Sequence, residues 1–528
     1  MPPTFPNTSV KSVTWSNYSG TLRSRSIPVF CTPQGGTTVG MLREHGDAVR
    51  AILRHCFDED PPLTFRAIGS TWSFSRIVEP GSVVIDPANM NFIQPLPQAL
   101  YTDGYRPRAA GGFTPMFIEA GTLISDINRR LGTDVGLALQ TSGAGDGHRV
   151  AGCIATGTHG SALRIGAVHD TVLGVYLVVS PDRALFIQSG TSPFVTDAIA
   201  PWLQGQTGIP TENFANDAAF HAAQVALGSL GFVFAVVVET VPLYRMRYVR
   251  VPKPWNDPAV WRAIRTLDTT PFHPTGIVQT PDHFDIVMHP YPPGGSDPGA
   301  LLTVMWKTRA NMPPMASPLP AIPRASSDIM GMIAGLADIL GNALTAPIAL
   351  PYLRGLIAEQ IDLVSTNGEQ FPGQMFGPTS LPPGTGASTE IIVNQGDAER
   401  ALQIIYDILR ERATDGDFLL GAIGVRFVPE TKAHLGMNIH PMNCYIELPS
   451  IRNDTVLSIY REVWDTLEAR GIVYTCHWGQ LHGMNPTRLR AYFGDRVDAW
   501  KEARHVLLDD TARRVFAAPI LAEVGLDD

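Results

Sequence analysis

A chain of 528 residues is too long for one hydrophobic core, so two domains are the starting expectation. Apolar residues at 44% and charged residues at 17% are globular proportions, and a net charge of −9 gives no electrostatic reason to expect nucleic acid or an anionic membrane surface as a partner. Five scattered cysteines (Cys31, Cys56, Cys153, Cys444, Cys476), odd in number and without a C-x-x-C pair, argue against a disulfide framework or structural zinc and fit a reducing compartment.

The N-terminus, MPPTFPNTSVKSVTW, lacks the apolar core of a signal peptide and reads as an irregular arm. The stretch Ile339 to Leu353 is only about half a membrane span and contains Pro347 and Pro351, so the expectation is a cytoplasmic protein with no integral membrane segment. Helical spacing marks Val39 to Cys56, and Leu63 to Ile68 reads as a strand. It runs into a small-residue loop at Gly69 to Ser75, with a further strand at Val83 to Asp86 and a short helix over Thr122 to Leu131.

The stretch TSGAGDGHRVAGCIATGTHGS, Thr141 to Ser161, is the densest in Gly, Ser and Thr, and it feeds the apolar strand Val172 to Val179. Glycine lets several backbone N–H groups approach one ligand, which suits an extended anion such as a dinucleotide pyrophosphate; a solvated cluster of turns has the same composition. From Asp217 to Pro242 an alanine-rich helix, a Gly-Ser-Leu-Gly turn and a β-branched strand follow, with a domain boundary expected near Arg247. Two β-rich runs, HFDIVMHPYP and LLTVMWKTRA, open the second half, followed by a proline-rich connector and an apolar helical insert over 328–364. Then STEIIVN, a helix from Asp397 to Ala413, AIGVRFV and MNCYIEL give strand, helix and strands again, before a largely helical C-terminus. The fold class is α+β.

There is no Walker loop, no G-x-S-x-G elbow and no H-E-x-x-H. The run Gly143, Gly145, Gly147 has the wrong spacing for a Rossmann fingerprint, and pairs such as His434 with His440 and His477 with His482 show no ordered ligand spacing, so no metal site is expected.

The two loops taken with VTWSNYSG (Val13 to Gly20), FRAIGSTWSF, VAGCIATGTHGS, AAQVALGSLGFVFAV, HWGQLH and WKEARHVLLDDTARRVF, in that order, resemble the vanillyl-alcohol oxidase type of flavoprotein with a PCMH-type FAD domain. Within it the chain is most similar to the aldonolactone and alditol oxidase (D-arabinono-1,4-lactone oxidase-like) branch. The resemblance implies an FAD domain over 1–246, a substrate (cap) domain over 247–475, and a segment, 476–528, returning to the FAD domain. It implies that Ile68, Gly69, Ser70, Thr71, Trp72, Ser73 and Phe74 wrap the pyrophosphate. It also implies that Gly152, Cys153, Thr156, Gly157, Thr158, His159, Gly160 and Ser161 line the flavin, with Val233 and His477 also in contact.

Alditol-oxidising relatives carry an acid two residues before the arginine of AIGVRFV and a lysine in the motif matching HWGQ. Here Arg426 is kept, Gly424 stands at the acid's place and Gln480 at the lysine's. The implied activity is oxidation of a CH–OH group of a small alcohol or lactone by hydride transfer to flavin N5, with oxygen or another acceptor reoxidising the flavin. Arg426 would anchor the substrate, His477 lie near flavin or substrate, and Gln480 make a neutral polar contact; each also has a structural reading, as ion-pair partner, core histidine or solvated amide. Two alternatives stand beside this activity: oxidation of a hydrophobic, sterol-like or aromatic alcohol, and flavin binding without turnover. Many relatives tether the flavin through a histidine in the first loop, but Trp72 takes that place and indole is a very poor nucleophile. Non-covalent FAD is therefore expected, with a single link through Cys153, which resembles the cysteine of the bicovalent branch, as the alternative.

Overall fold

Three β-sheets organise the chain in the computed structural model, which describes all residues except 1–3, 6, 7, 18–21, 34–39, 144, 293, 309–340, 359–366, 376–385 and 528. The first sheet holds, in spatial order, Ser9–Ser16, Arg23–Cys31, Val83–Asp86 and Phe65–Ala67. Its N-terminal pair corrects the expected irregular arm. Ser9–Ser16 is exposed or half-buried along most of its length, with Trp15 its one buried residue, so an edge strand formed without the apolar alternation that sequence patterning detects.

The second sheet runs Thr211–Ala215, Arg183–Gln188, Val172–Ser180, Phe232–Pro242, Thr114–Glu119 and Ile93–Pro95, with Leu137–Leu139 pairing off Phe232–Pro242. Phe232–Pro242 lies between neighbours and is buried over most of its length, which is why it reads as a continuous β-branched run. The helix Gly40–Asp58 turns Leu42, Val49, Ile52, Leu53 and Cys56 into the same core, at the spacing the sequence displays.

The third sheet is antiparallel throughout, in the order Asn367–Gln370, Arg245–Pro254, Pro298–Thr308, His283–Met288, Ile423–Pro429, Met442–Ile451, Gly386–Asn394 and Tyr474–Cys476. Because side chains alternate along a strand, its two faces differ in character. Phe284, Ile286, Val425, Phe427, Ile446 and Ile391 are buried on one face, on the side of the helices Ala398–Thr414 and Asp454–Ala469. On the other face, register places Asp285 opposite Arg426 and Arg426 opposite Tyr445, and places Gly424 opposite Glu447 and Glu447 opposite Glu390.

Of the expected insert over 328–364, residues 328–340 and 359–364 lie outside the described residues. Asn342–Ala358 is helical and packs on Pro298–Thr308, burying Ala346, Ala349 and Leu353. Past the third sheet, the helices Arg496–Leu507, Asp510–Val515 and Pro519–Val524 pack back onto the first half, against Asp217–Gln224, Gly40–Asp58 and the turn Arg76–Val78 respectively. Among the described residues no helix is long and apolar enough to cross a membrane.

Candidate active site

The loop after Phe65–Ala67 leaves the first sheet at Ile68, whose amide makes a last bond to Ile85 O at 3.0 Å. The amides of Gly69, Ser70, Thr71 and Ser73 then find no acceptor among the described residues. Thr71 sits at φ 56°, in the left-handed region that costs a β-branched residue roughly 1–2 kcal/mol. The loop's far end is fastened: Asn17 Nδ2 donates to Ser73 O (2.8 Å), Phe74 N to Gly479 O (2.7 Å) and Ser75 Oγ to Trp478 O (2.5 Å).

The second small-residue stretch is not all loop. Val150–Ala155 forms a short helix with Val150, Cys153 and Ile154 turned into the core, a spacing of three and four that glycine-rich composition had masked. Its open side faces a cleft of about 1070 Å³. Loop residues 68–73, Gly152, Thr156 and Val233 line that cleft, joined by Arg66, His148, Arg149 and Phe516. A side chain added at Gly152 would meet nothing within 4 Å, whereas a Cβ at Gly147 would stand 2.5 Å from the Trp72 ring and one at Gly160 would stand 2.3 Å from Ser142 O. One glycine leaves the cleft open and the other two let the loops close on each other.

Among the described residues the cleft wall carries two buried or half-buried guanidinium groups and no carboxylate. Arg66 donates to Gly228 O (2.8 Å) and Ile77 O (2.6 Å), and burial pushes it down to about 10. Arg149 donates to Gly121 O (2.6 Å), while its buried Nε has no partner and the nearest carboxylate, on Asp86, is 3.9 Å away. Cations held in this way, beside free amides, are suited to an anionic ligand.

Trp478 and Gly479 link this cradle to a polar cluster on the third sheet. His159 Nδ1 meets Gly160 O and its Nε2 meets Glu390 Oε2, both at 2.9 Å. Arg426 Nη1 lies 3.4 Å from Glu390 Oε1 and 2.7 Å from Glu447 Oε2, and Gln480 Nε2 donates to Glu447 Oε1 at 3.1 Å. Burial would raise the Glu390 carboxyl, but His159, His477 and Arg426 overcome it and hold the group down at about 2. Burial likewise works against the Arg426 charge, and Glu447 and Glu390 more than offset it. His477 is pushed down to about 4 by burial; its Nδ1 accepts from Gly479 N at 3.0 Å, leaving Nε2–H as a neutral donor. His159, Glu390 and His477 place ligand-type atoms within 4.8 Å of one another, yet both ring nitrogens of His159 are already engaged, by Gly160 O and Glu390 Oε2.

No family model matches the chain. It is 23% identical over 463 residues to the L-gulono-1,4-lactone dehydrogenase of Mycobacterium tuberculosis, covering 85% of this chain and 90% of that protein. It is 30% identical over 140 residues to the D-arabinono-1,4-lactone oxidase of Yarrowia lipolytica, a match spanning 26% of this chain and only 22% of the fungal protein. The fold of the cholesterol oxidase from B. sterolicum covers 99% of both chains with a TM-score of 0.69, at 13% identity. The chain is an FAD-dependent oxidoreductase. It fits the aldonolactone oxidase branch.

The residues of this oxidoreductase fit FAD on the structure's own terms: free amides, unpaired guanidinium nitrogen and open glycine backbone converge on one cleft. Of the residues expected to hold the cofactor, Ile68, Gly69, Ser70, Thr71, Trp72, Ser73, Gly152, Thr156 and Val233 line that cleft. Phe74 donates its amide to Gly479 O, while Gly157 and Thr158 carry the chain from the cleft to His159 in the polar cluster and Gly160 and Ser161 follow it. Cys153 points away from the cleft into the core, and burial pushes its thiol up to about 12. Arg426, His477 and Gln480 come together around Glu390 and Glu447, two residues that sequence reasoning missed. Their signal was a lone acid inside an apolar strand, in STEIIVN and NCYIELP.

Proposed function

We propose that this FAD-dependent oxidoreductase, which acts on CH–OH groups, takes a small, neutral, hydroxyl-rich substrate of the lactone or sugar-alcohol kind. The polar cluster carries the reading, because each of its charged groups already has an opposite partner: His159 with Glu390, and Arg426 with Glu447, Glu390 and Asp285. A cluster so balanced offers hydrogen bonds rather than net charge. A sterol-like alcohol would leave the buried Gln480 amide oxygen, which has no partner, unsatisfied at a cost of about 1–3 kcal/mol, so the hydrophobic alternative is not favoured.

When bound, FAD supplies the hydride acceptor. The cradle residues 68–74, with Gly152, Thr156, Val233, Arg66 and Arg149, would hold it. Arg426 stays charged and stabilises developing negative charge on the substrate oxygen. His477 contributes a neutral N–H, and Gln480 contributes a buried amide oxygen that has no partner. Residues 1–246 and 476–528 form the cofactor half and 247–475 the cap in this reading, with dioxygen or another acceptor completing turnover. Trp72 at the tether position and a Cys153 thiol near 12 support non-covalent attachment. Five free, buried cysteines support a cytoplasmic location.

Anaerobic bleaching of the bound flavin tests the activity: L-gulono-1,4-lactone or xylitol should bleach it and cholesterol should not. Bleaching by cholesterol alone, or by none of the three, refutes the reading. Acid precipitation should leave the flavin in the supernatant; a yellow pellet would refute non-covalent attachment.

A further inference from the structure

Position 424 lacks a side chain at the centre of the polar face, and the space is occupied from the next strand. Gly424 pairs directly with Glu447, and a Cβ built on Gly424 would lie 3.5 Å from Glu447 Cβ, 3.5 Å from its Oε2 and 3.6 Å from an Arg426 nitrogen. An acidic side chain at 424 would thus reach into the volume that the Glu447 carboxylate fills, and would bring a like charge to the same guanidinium. The space beside Arg426 admits one carboxylate from these two positions.

We infer that Glu447 is the working acid of this active site, a carboxylate moved one strand across from position 424; this rests on the activity proposed above. Two acids flank Arg426 and they are not equivalent. The Glu390 side chain is 2% exposed and committed to His159, whereas that of Glu447 is 22% exposed. A carboxylate has about four acceptor positions. Arg426 at 2.7 Å, Gln480 at 3.1 Å and Ser388 Oγ at 3.4 Å take three of them on Glu447. One position is left free on a partly exposed side chain whose orientation its neighbours fix, so it accepts the O–H of the reacting CH–OH group.

During oxidation the C–H bond breaks with its electron pair, as a hydride that FAD, when bound, would accept. The substrate O–H bond breaks as the C=O bond forms, and that proton passes to Glu447 and from its exposed edge to solvent. The arrangement also sets specificity. A hydroxyl or lactone donor is welcome there, while a substrate carboxylate beside the reacting carbon would face Glu447 and Glu390 together.

Three variants of the flavin-loaded full chain test this: Glu447→Gln, Glu447→Ala, and Gly424→Glu combined with Glu447→Ala. Glu447→Gln should retain FAD yet lose about 100-fold or more in kcat with L-gulono-1,4-lactone or xylitol, the scale of a lost general base. Restoring the acid from the other strand in the double variant should recover at least about tenfold over Glu447→Ala, which a merely structural residue would not do. Wild-type turnover in Glu447→Gln, or no recovery in the double variant, overturns the inference. If neither substrate reduces the wild-type flavin, the proposed activity fails, and the midpoint potential of the bound flavin, measured without substrate, then decides the role of Glu447. A higher potential in Glu447→Gln supports a carboxylate at the flavin site, and an unchanged one overturns it.

Discussion

Acidification from pH 7 to pH 5 should remove most of the fold's stability. His148, His477 and His482 are pushed by burial from 6.5 to about 4, and His283 to about 3. Their folded pKa values lie below the unfolded value, so the unfolded chain binds protons first; stability is complete above 6.5 and is lost as pH falls towards 4. At pH 5 each histidine contributes a loss of roughly 2 kcal/mol, from 1.5 pH units at about 1.36 kcal/mol each, or about 8 kcal/mol for the four. A typical folding free energy is about 5–15 kcal/mol, so this decides whether the protein is folded. The Glu390 carboxyl, held near 2, contributes stability above 4.5 and loses it only below that, so the two effects occupy separate windows. Urea unfolding followed by tryptophan fluorescence at pH 7, 6 and 5 should show the midpoint falling steeply. His482→Leu should reduce the slope near pH 5 by about 1.4 kcal/mol per pH unit. A midpoint unchanged between pH 7 and pH 5 would refute the reasoning.

Three further outcomes are expected. Arg149→Met, which removes the guanidinium with the unpartnered Nε, should weaken FAD binding about tenfold or more in a flavin-fluorescence titration; an unchanged Kd would show that the cleft's anion is held elsewhere. Gly160→Ala forces a methyl against Ser142 O and should yield protein depleted in flavin, read from the ratio of 450 to 280 nm absorbance at about those wavelengths; full occupancy would count against it. Thr71→Gly relieves the left-handed strain and should raise the unfolding free energy of the apoprotein by up to about 1 kcal/mol, the strain less the entropy that glycine adds; destabilisation would mean that the Thr71 side chain makes an interaction of its own.

The cradle was legible in the sequence because its chemistry is compositional: loops that must bring amides to a ligand are built from Gly, Ser and Thr, and the strands behind them from Val, Ile and Phe. Arg426 and Gln480 could be placed by motif, but the partner that defines Arg426 could not. Glu447 is 21 residues further along and becomes its neighbour only through the register of two antiparallel strands. The departure at Gly424 therefore read as a lost acid, when the same chain carries a carboxylate directly across the sheet. The edge strand Ser9–Ser16 escaped for a different reason, since a strand with one buried side chain has little pattern to display. Cys153 could be weighed only by knowing which side of a six-residue helix it faces.

The clasp at Phe74 and Ser75 sets an order on biogenesis. The loop that cradles the cofactor is made early, yet the carbonyls that fasten it belong to Trp478 and Gly479, about four hundred residues later. A nascent chain still short of Trp478 holds an unfastened loop, and an isolated N-terminal half would hold one permanently. Flavin capture is thereby tied to the end of synthesis, when the last segment comes home and closes the cradle. Chains released early should carry no flavin, which absorbance of a fragment ending before Tyr474 would show; a yellow fragment would mean that the loop sets without its clasp.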